Sequence, residues 1–267
     1  MNGRSLALGQ YYPARSALHT LDPRVKLLLM LALVTAIFFI NNLAVMVAAG
    51  LLVPVLATVA KVPYSWVIRG LRPLLFILIL TFFIHVFFTP GARLAAIGPL
   101  TATRAGLRNG AFYSLRLGLV VLFSSFVTLT TTPVQLTDAI ESIFGPLKKF
   151  RLPVHEVALM MTIALRFIPT LLSEAETIMQ AQKARGADFE SGHIFKRAKS
   201  FVPLLIPLFI SAFRRADELA LAMEARGYAG GEGRTRLHVL KVRAADVVWL
   251  IGGLAVIALV VGVRWAV

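Results

Sequence analysis

Two arginines in this chain stand in the same short frame, Ala184-Arg185-Gly186 and Ala225-Arg226-Gly227. The chemistry such a frame supports is recognition rather than bond-making. A guanidinium is permanently charged and planar, and it meets a carboxylate through two parallel hydrogen bonds. Ala184 and Ala225 keep the neck beside each arginine thin, while Gly186 and Gly227 let a helix stop and the backbone turn away. The helix dipole alone explains a single arginine at a helix C-terminus, favouring a cation there by roughly 0.3–1 kcal/mol. Two arginines with the same flanking residues point instead to docking in two similar sockets outside the chain.

The other residue types that do chemistry are poorly arranged for it. His155-Glu156 opens a zinc-protease motif, but the second histidine, due at position 159, is Leu159. His85 lies in an apolar run with Phe82, Phe83 and Phe87, where a bond to a neighbouring helix is the expectation. Gly230-Gly231-Glu232-Gly233 is not followed by Gly-Lys-Ser/Thr, so any ATPase working with this chain must be another polypeptide. Zero cysteines exclude disulfides, thiolate catalysis and Cys-ligated metal centres. There is no serine-histidine-acid set in a recognisable local context and no carboxylate pair within an apolar run. The expectation is a chain with no catalytic residues, no metal site and no bound cofactor.

The arginine frames close two long amphipathic segments. Pro153 to Arg185 reads as one helix, apolar early and polar late, with Pro169 inside it. Ile194 to Arg226 repeats the plan, with Pro203 and Pro207 in its apolar half. Phe167-Ile168-Pro169 matches Leu205-Ile206-Pro207, and Glu176 matches Asp217. The proline-to-arginine spacing differs by three residues, nearly one helical turn, so both copies can present a similar face. A shorter amphipathic helix is expected from Pro133 to Phe150, started by Thr132-Pro133 and interrupted at Gly145-Pro146. The two long segments carry enough charge that neither is expected to cross a bilayer.

The rest of the chain is made for lipid. Of 267 residues, 58% are hydrophobic, and the apolar residues are gathered in runs of the length a spanning helix needs. Five spans are expected, at about Val25–Ile40, Leu43–Ala60, Leu74–Phe88, Ala111–Thr131 and Ala245–Val263. Asp22 is the only acid before Asp138, and eleven of the remaining twelve fall between Asp138 and Glu232. The chain thus divides into a membrane domain over 1–132, a solvated mixed-charge region over 133–243 and a last span in 244–267. The net charge of +15 reports cytoplasmic loops rather than nucleic acid, for which no binding module is present. Arg4, Arg15, Arg24 and Lys26, with the basic turn Lys61, Arg69 and Arg72, place the N-terminus in the cytoplasm. Five crossings then leave Arg264-Trp265 outside. The loop Gly91–Gly110 breaks the pattern, because it must lie outside yet holds Arg93, Arg104 and Arg108. Nothing in Met1–Pro23 reads as a cleaved signal peptide.

Three stretches resemble the transmembrane T component of energy-coupling factor (ECF) transporters. The first is Tyr12-Pro13-x-x-Ser16-x-x-His19-x-Leu21-Asp22-Pro23-Arg24-x-Lys26-Leu27. The second is Thr130-Thr131-Thr132-Pro133 followed by Leu136-Thr137-Asp138-Ala139, and the third is the doubled Ala-Arg-Gly. The resemblance implies an all-α integral membrane protein of about five transmembrane helices, with a cytoplasmic coupling domain of long bent amphipathic helices. It implies partners as well: two cytoplasmic ATPases that hold ATP and Mg, and a small integral membrane S component that binds a vitamin or other micronutrient. Ala184, Arg185 and Gly186 would dock on one ATPase, and Ala225, Arg226 and Gly227 on the other. The apolar halves of the coupling helices, carrying Leu159, Met160, Ile163, Leu204, Leu205 and Phe209, would contact the S component. The location implied is the prokaryotic cytoplasmic membrane. Rival readings are a permease subunit of a conventional ATP-driven transporter with its own substrate pathway, a passive membrane scaffold and a membrane-embedded enzyme.

Overall fold

A chain this apolar must satisfy its backbone within each segment, because lipid offers no hydrogen-bond partners, and helices are the direct solution. The structure, a computed structural model, describes residues 11–97, 100–150, 153–187, 189, 200–230 and 242–266. The protein is an all-α membrane protein whose regular non-helical element is one short hairpin among the described residues. It divides into two compact units, one of Gly9–Ala139 with Val239–Val267, the other containing Ile140–His238.

The first unit begins with a single turn, α1 (Ala17–Thr20), and continues through α2 (Pro23–Phe39), α3 (Leu43–Gly50), α4 (Leu52–Ala60) and α5 (Tyr64–Arg69). Then come α6 (Leu75–Phe88), the antiparallel hairpin β1 (Arg93–Ile97) and β2 (Leu100–Thr103), and α7 (Arg104–Thr130). Asp22 starts α2 by accepting the Arg24 backbone N–H at 2.9 Å, and Pro23 supplies the favoured first helical residue. Asn42 caps α3 in the same way through the Ala44 N–H. Leu51, between α3 and α4, keeps helical angles, so Leu43–Ala60 runs on as one span-length segment.

Two span boundaries differ from the sequence expectation. The third span is part of a longer apolar run, Tyr64–Phe88, and the fourth starts at Arg104 rather than near Ala111. Thr103 accounts for the second shift. Its hydroxyl accepts the Gly106 N–H at 2.9 Å as an N-cap and donates to the Thr89 carbonyl at 2.7 Å, tying the start of α7 to the end of α6. The expected outer loop is thereby reduced to the hairpin.

Helix α7 is the axis of this unit, touching α2, α3, α4, α5 and α6. Lipid tails are as apolar as leucine, so close packing rather than water expulsion holds such helices together, and small residues permit it. Gly106 and Gly110 show how close α7 comes. A methyl group at Gly106 would lie 2.5 Å from the His85 carbonyl oxygen, and one at Gly110 2.9 Å from that of Phe82. Around this axis Ile37, Met46, Ala49, Ala57, Ala60, Leu119, Phe123 and Leu129 form the buried core. Phe76 and Ile79 of α6 face outward, as lipid-facing residues should. The C-terminal helix α11 (Ala244–Ala266) packs against α2.

In the second unit the long helices are α9 (Val154–Ala184) and α10 (Val202–Ala225), which pack on each other. Residues 194–199, 231–236 and 241, where the sequence placed the start of the second long segment, most of the glycine-rich run and part of a basic stretch, lie outside the described residues. Helix α9 corrects one expectation: its length and composition would allow it to cross a bilayer too. Glu156 and Arg166 bracket a charge-free stretch, Val157–Leu165, and Glu174, Glu176 and Lys183 follow toward its end, so charge content alone does not keep it out. The helix α8 (Pro133–Phe144) precedes these, ends before Gly145 as expected and passes into a 3-10 turn over Gly145–Phe150.

Candidate functional site

The two Ala-Arg-Gly frames fold into the same helix terminus. Ala184 is the last residue of α9, and Arg185 is its C-cap. Gly186 takes φ +87°, its N–H donates to the Lys183 carbonyl at 3.0 Å, and the Ala187 N–H reaches back to Gln182 at 2.9 Å. At the other frame Arg226 caps α10, and Gly227 takes φ +71°. Its N–H donates to Glu224 at 2.9 Å, and that of Tyr228 to Met223 at 3.0 Å. Both are Schellman terminations, with the paired six-to-one and five-to-two hydrogen bonds that define that motif. A Cβ at either glycine would meet no atom within 4 Å, so it is the left-handed backbone, not crowding, that calls for glycine. Arg185 and Arg226 are exposed, as are Ala184 and Ala225 beside them.

Helices α9 and α10 are tied by Arg215, whose Nη2 donates to Glu174 Oε2 at 3.1 Å. Beside this bridge lies an apolar cleft of about 320 Å³ lined by Ile163, Phe167, Leu171, Leu219 and Met223. Of the residues expected on the S-component face, Met160, Leu205 and Phe209 are well exposed, Leu159 is half-buried and Ile163 lines the cleft. Leu204 departs from the expectation. It is buried within the chain, on the inward side of the first turn of α10, and offers no surface to a partner.

The two histidines weighed in the sequence have ordinary partners. His155 Nδ1 lies 3.1 Å from Glu141 Oε1. His85 Nδ1 donates to Thr81 of its own helix at 2.8 Å, rather than to a neighbouring helix as expected. Its link to the neighbour is ring contact with Tyr113 on α7, at 4.7 Å between centroids. The i−4 carbonyl is the nearest acceptor to a helical imidazole, so the local bond forms first.

A polar clasp in the first unit went unread in the sequence. Lys26 is buried, and its Nζ donates to the Thr130 carbonyl at 2.9 Å, to Thr131 Oγ1 at 3.3 Å and to the His19 carbonyl at 3.4 Å. The Tyr12 N–H donates to the Leu129 carbonyl at 2.9 Å. His19 Nε2 donates to the Tyr12 carbonyl at 2.9 Å, and Nδ1 lies 2.7 Å from the Ser16 hydroxyl, from which it accepts in the neutral ring. Burial accordingly pushes the His19 pKa below its ordinary value. From the C-terminal helix, Asp246 Oδ1 accepts the Asp22 N–H at 2.9 Å, and Oδ2 accepts the Arg243 N–H. The opening motif Tyr12–Lys26 is thus fastened to the last turn of α7, immediately before α8. There Thr132 and Gln135 exchange backbone and side-chain hydrogen bonds as a capping box. One signal in the sequence pointed here: Asp246 is the single acid after Glu232, placed at the first turn of an apolar helix.

Comparison with known proteins supplies the family. The family described as CbiQ, cobalt transport protein, matches residues 14–237. The energy-coupling factor transporter transmembrane protein EcfT of Acidaminococcus fermentans is 51% identical over 263 residues, 98% of each chain. Its namesake in Bacillus subtilis is 48% identical over 237 residues, covering 88% of this chain and 89% of the relative. That of Thermosediminibacter oceani is 47% identical over 243 residues, covering 91% and 92%. A family match over most of the length, joined to relatives at about half identity end to end, means that this chain belongs to the CbiQ family as a transmembrane component of the energy-coupling factor transporters.

Proposed function

We propose that the chain couples ATP hydrolysis in two cytoplasmic ATPases to substrate uptake through a small membrane S component. The observation that carries this reading is the pair of exposed Schellman ends, each presenting one arginine on a thin neck. Arg185 enters a carboxylate-lined socket on one ATPase, and Arg226 the equivalent socket on the other. ATP and Mg bind those partners and not this chain. When the ATPases close, the arginine-bearing tips are drawn with them, and the helices behind the tips carry the movement onward. The apolar surface carrying Met160, Leu205 and Phe209 bears on the S component, whose reorientation delivers a vitamin or other micronutrient. In this reading the membrane is the prokaryotic cytoplasmic membrane, and the N-terminus faces the cytoplasm.

The test is uptake in cells carrying Arg185→Glu or Arg226→Glu. Removing one partner of a desolvated charge pair costs on the order of 2–5 kcal/mol, and reversing its charge costs more. Transport should be lost and the ATPases should fail to co-purify in mild detergent, with membrane insertion unchanged. Normal transport by both variants would refute the docking and leave the passive scaffold standing.

A further inference from the structure

The unit that holds α7 has two ends, and their electrostatics differ in kind. At the clasp end the buried charge is answered within the chain: Asp22 and Asp246 stand beside Arg24 and Lys26. At the hairpin end, about 40 Å away along the 27 residues of α7, this unit has no carboxylate of its own. The sequence contains no Asp or Glu from Pro23 to Thr137 and none after Asp246. Four arginines nevertheless sit toward this end. Arg116 is provided for by the chain. It donates to the Ile40 carbonyl and lies over the rings of Phe112, Tyr113 and Phe38. The other three, Arg93, Arg104 and Arg108, are exposed.

Backbone geometry brings these three together. Arg93 pairs across the hairpin with Thr103, the residue before Arg104, and the Arg104 N–H donates to the Ala92 carbonyl at 2.9 Å. Arg108 follows Arg104 by one helical turn on the same face. Their guanidinium groups make no hydrogen bond, ion pair or ring contact among the described residues. Around them Phe88 is 75% exposed, Leu94 58% and Leu107 47%. A soluble anion site has no use for that apolar fringe. A lipid headgroup does: basic side chains take the phosphate while the apolar ones enter the acyl boundary. Arginine rather than lysine in all three places suits the forked geometry of phosphate oxygens.

We propose that Arg93, Arg104 and Arg108 form a binding rim for the phosphate of anionic phospholipid in the leaflet at the hairpin end. The lipid supplies the counter-charge that the chain lacks there. It also explains why this loop carries arginines that retention of positive charge on the cytoplasmic side would otherwise disfavour.

The test uses the full chain in mild detergent, titrated with phosphatidylglycerol or phosphatidylethanolamine and read by native mass spectrometry. Wild type should retain phosphatidylglycerol in preference. Each arginine lost should weaken that retention about fivefold, and the triple variant Arg93→Gln/Arg104→Gln/Arg108→Gln on the order of a hundredfold. The charge-matched variant Lys61→Gln/Arg69→Gln/Arg72→Gln, at the clasp end, should lose far less. Equal losses in the two triples would overturn the proposal by making binding a matter of net charge. Displacement of the lipid by the same concentration of inorganic phosphate would overturn it in favour of a soluble-anion site. So would full lipid retention by the triple together with loss of a co-purifying membrane protein, which would make the rim a protein interface. Should the triple lose helicity by circular dichroism, Arg108→Gln alone decides, with about a fivefold loss expected and none refuting.

Discussion

Lys26→Met tests the clasp most directly, because methionine keeps the unbranched apolar stem and removes the terminal ammonium with its charge and donors. Three acceptors depend on that ammonium, of which the Thr130 carbonyl and Thr131 hydroxyl belong to residues 2% and 4% exposed. Leaving a buried acceptor unpaired costs about 1–3 kcal/mol. The desolvation cost of the buried ammonium is regained, so each of the two strongest bonds falls in the lower part of that range, a combined loss of roughly 2–4 kcal/mol. For a chain of this length each kcal/mol moves the thermal midpoint by about 2–4 °C, so a drop of about 5–15 °C is expected. Unfolding of the full chain in detergent, followed by circular dichroism, measures it. Hydrogen exchange gives the local readout: the Tyr12 amide, bonded to the Leu129 carbonyl, should exchange faster while amides at the middle of α7 stay protected. Lys61→Met, an exposed lysine at the same end, should change neither quantity. An unchanged midpoint and unchanged Tyr12 protection in Lys26→Met would show that the clasp does not hold the opening motif to α7, and the reasoning would fail.

Two further outcomes follow from the same geometry. Gly186→Ala or Gly227→Ala forces an L side chain into the left-handed region at a cost of about 1–2 kcal/mol. Because neither glycine is crowded, the effect should centre on the helix end, seen as reduced ATPase co-purification with the thermal midpoint lowered by no more than a few degrees. The His19 ring sets a pH dependence. Its folded pKa lies below the ordinary 6.5, so the unfolded chain takes up the proton first as pH falls. Stability should therefore be full above 6.5 and decline as pH falls through that value toward the folded pKa. Thermal midpoints measured from about pH 8 to about pH 5 should fall in wild type more than in His19→Gln, and parallel curves would exclude His19 as the source.

Much of this protein was legible before any coordinates, for reasons that lie in the solvent. Lipid demands uninterrupted apolar runs, so the span at Leu43–Ala60 could be read from composition to the residue, and so could the helix Leu75–Phe88 inside the longer run Tyr64–Phe88. Helix ends write themselves locally as well. Thr132-Pro133 starts α8, and the two glycines after Arg185 and Arg226 take the positive φ that their neighbours cannot. What could not be read depends on residues distant in sequence. Lys26 finds Thr130 a hundred residues on, and Asp22 finds Asp246 at the opposite end of the chain. The start of α7 moved because Thr103 bonds Thr89, and Leu204 turned inward although its apolar neighbours stayed exposed.

The sequence by itself determined the class, the span at Leu43–Ala60 and the twin glycine-ended helix termini, because membrane thickness and helix capping act over a few consecutive residues. Only the tertiary structure decided which buried charges answer one another and which remain unanswered. The energy of a buried charge depends on what the fold places within a few ångströms of it, and no local rule carries that information.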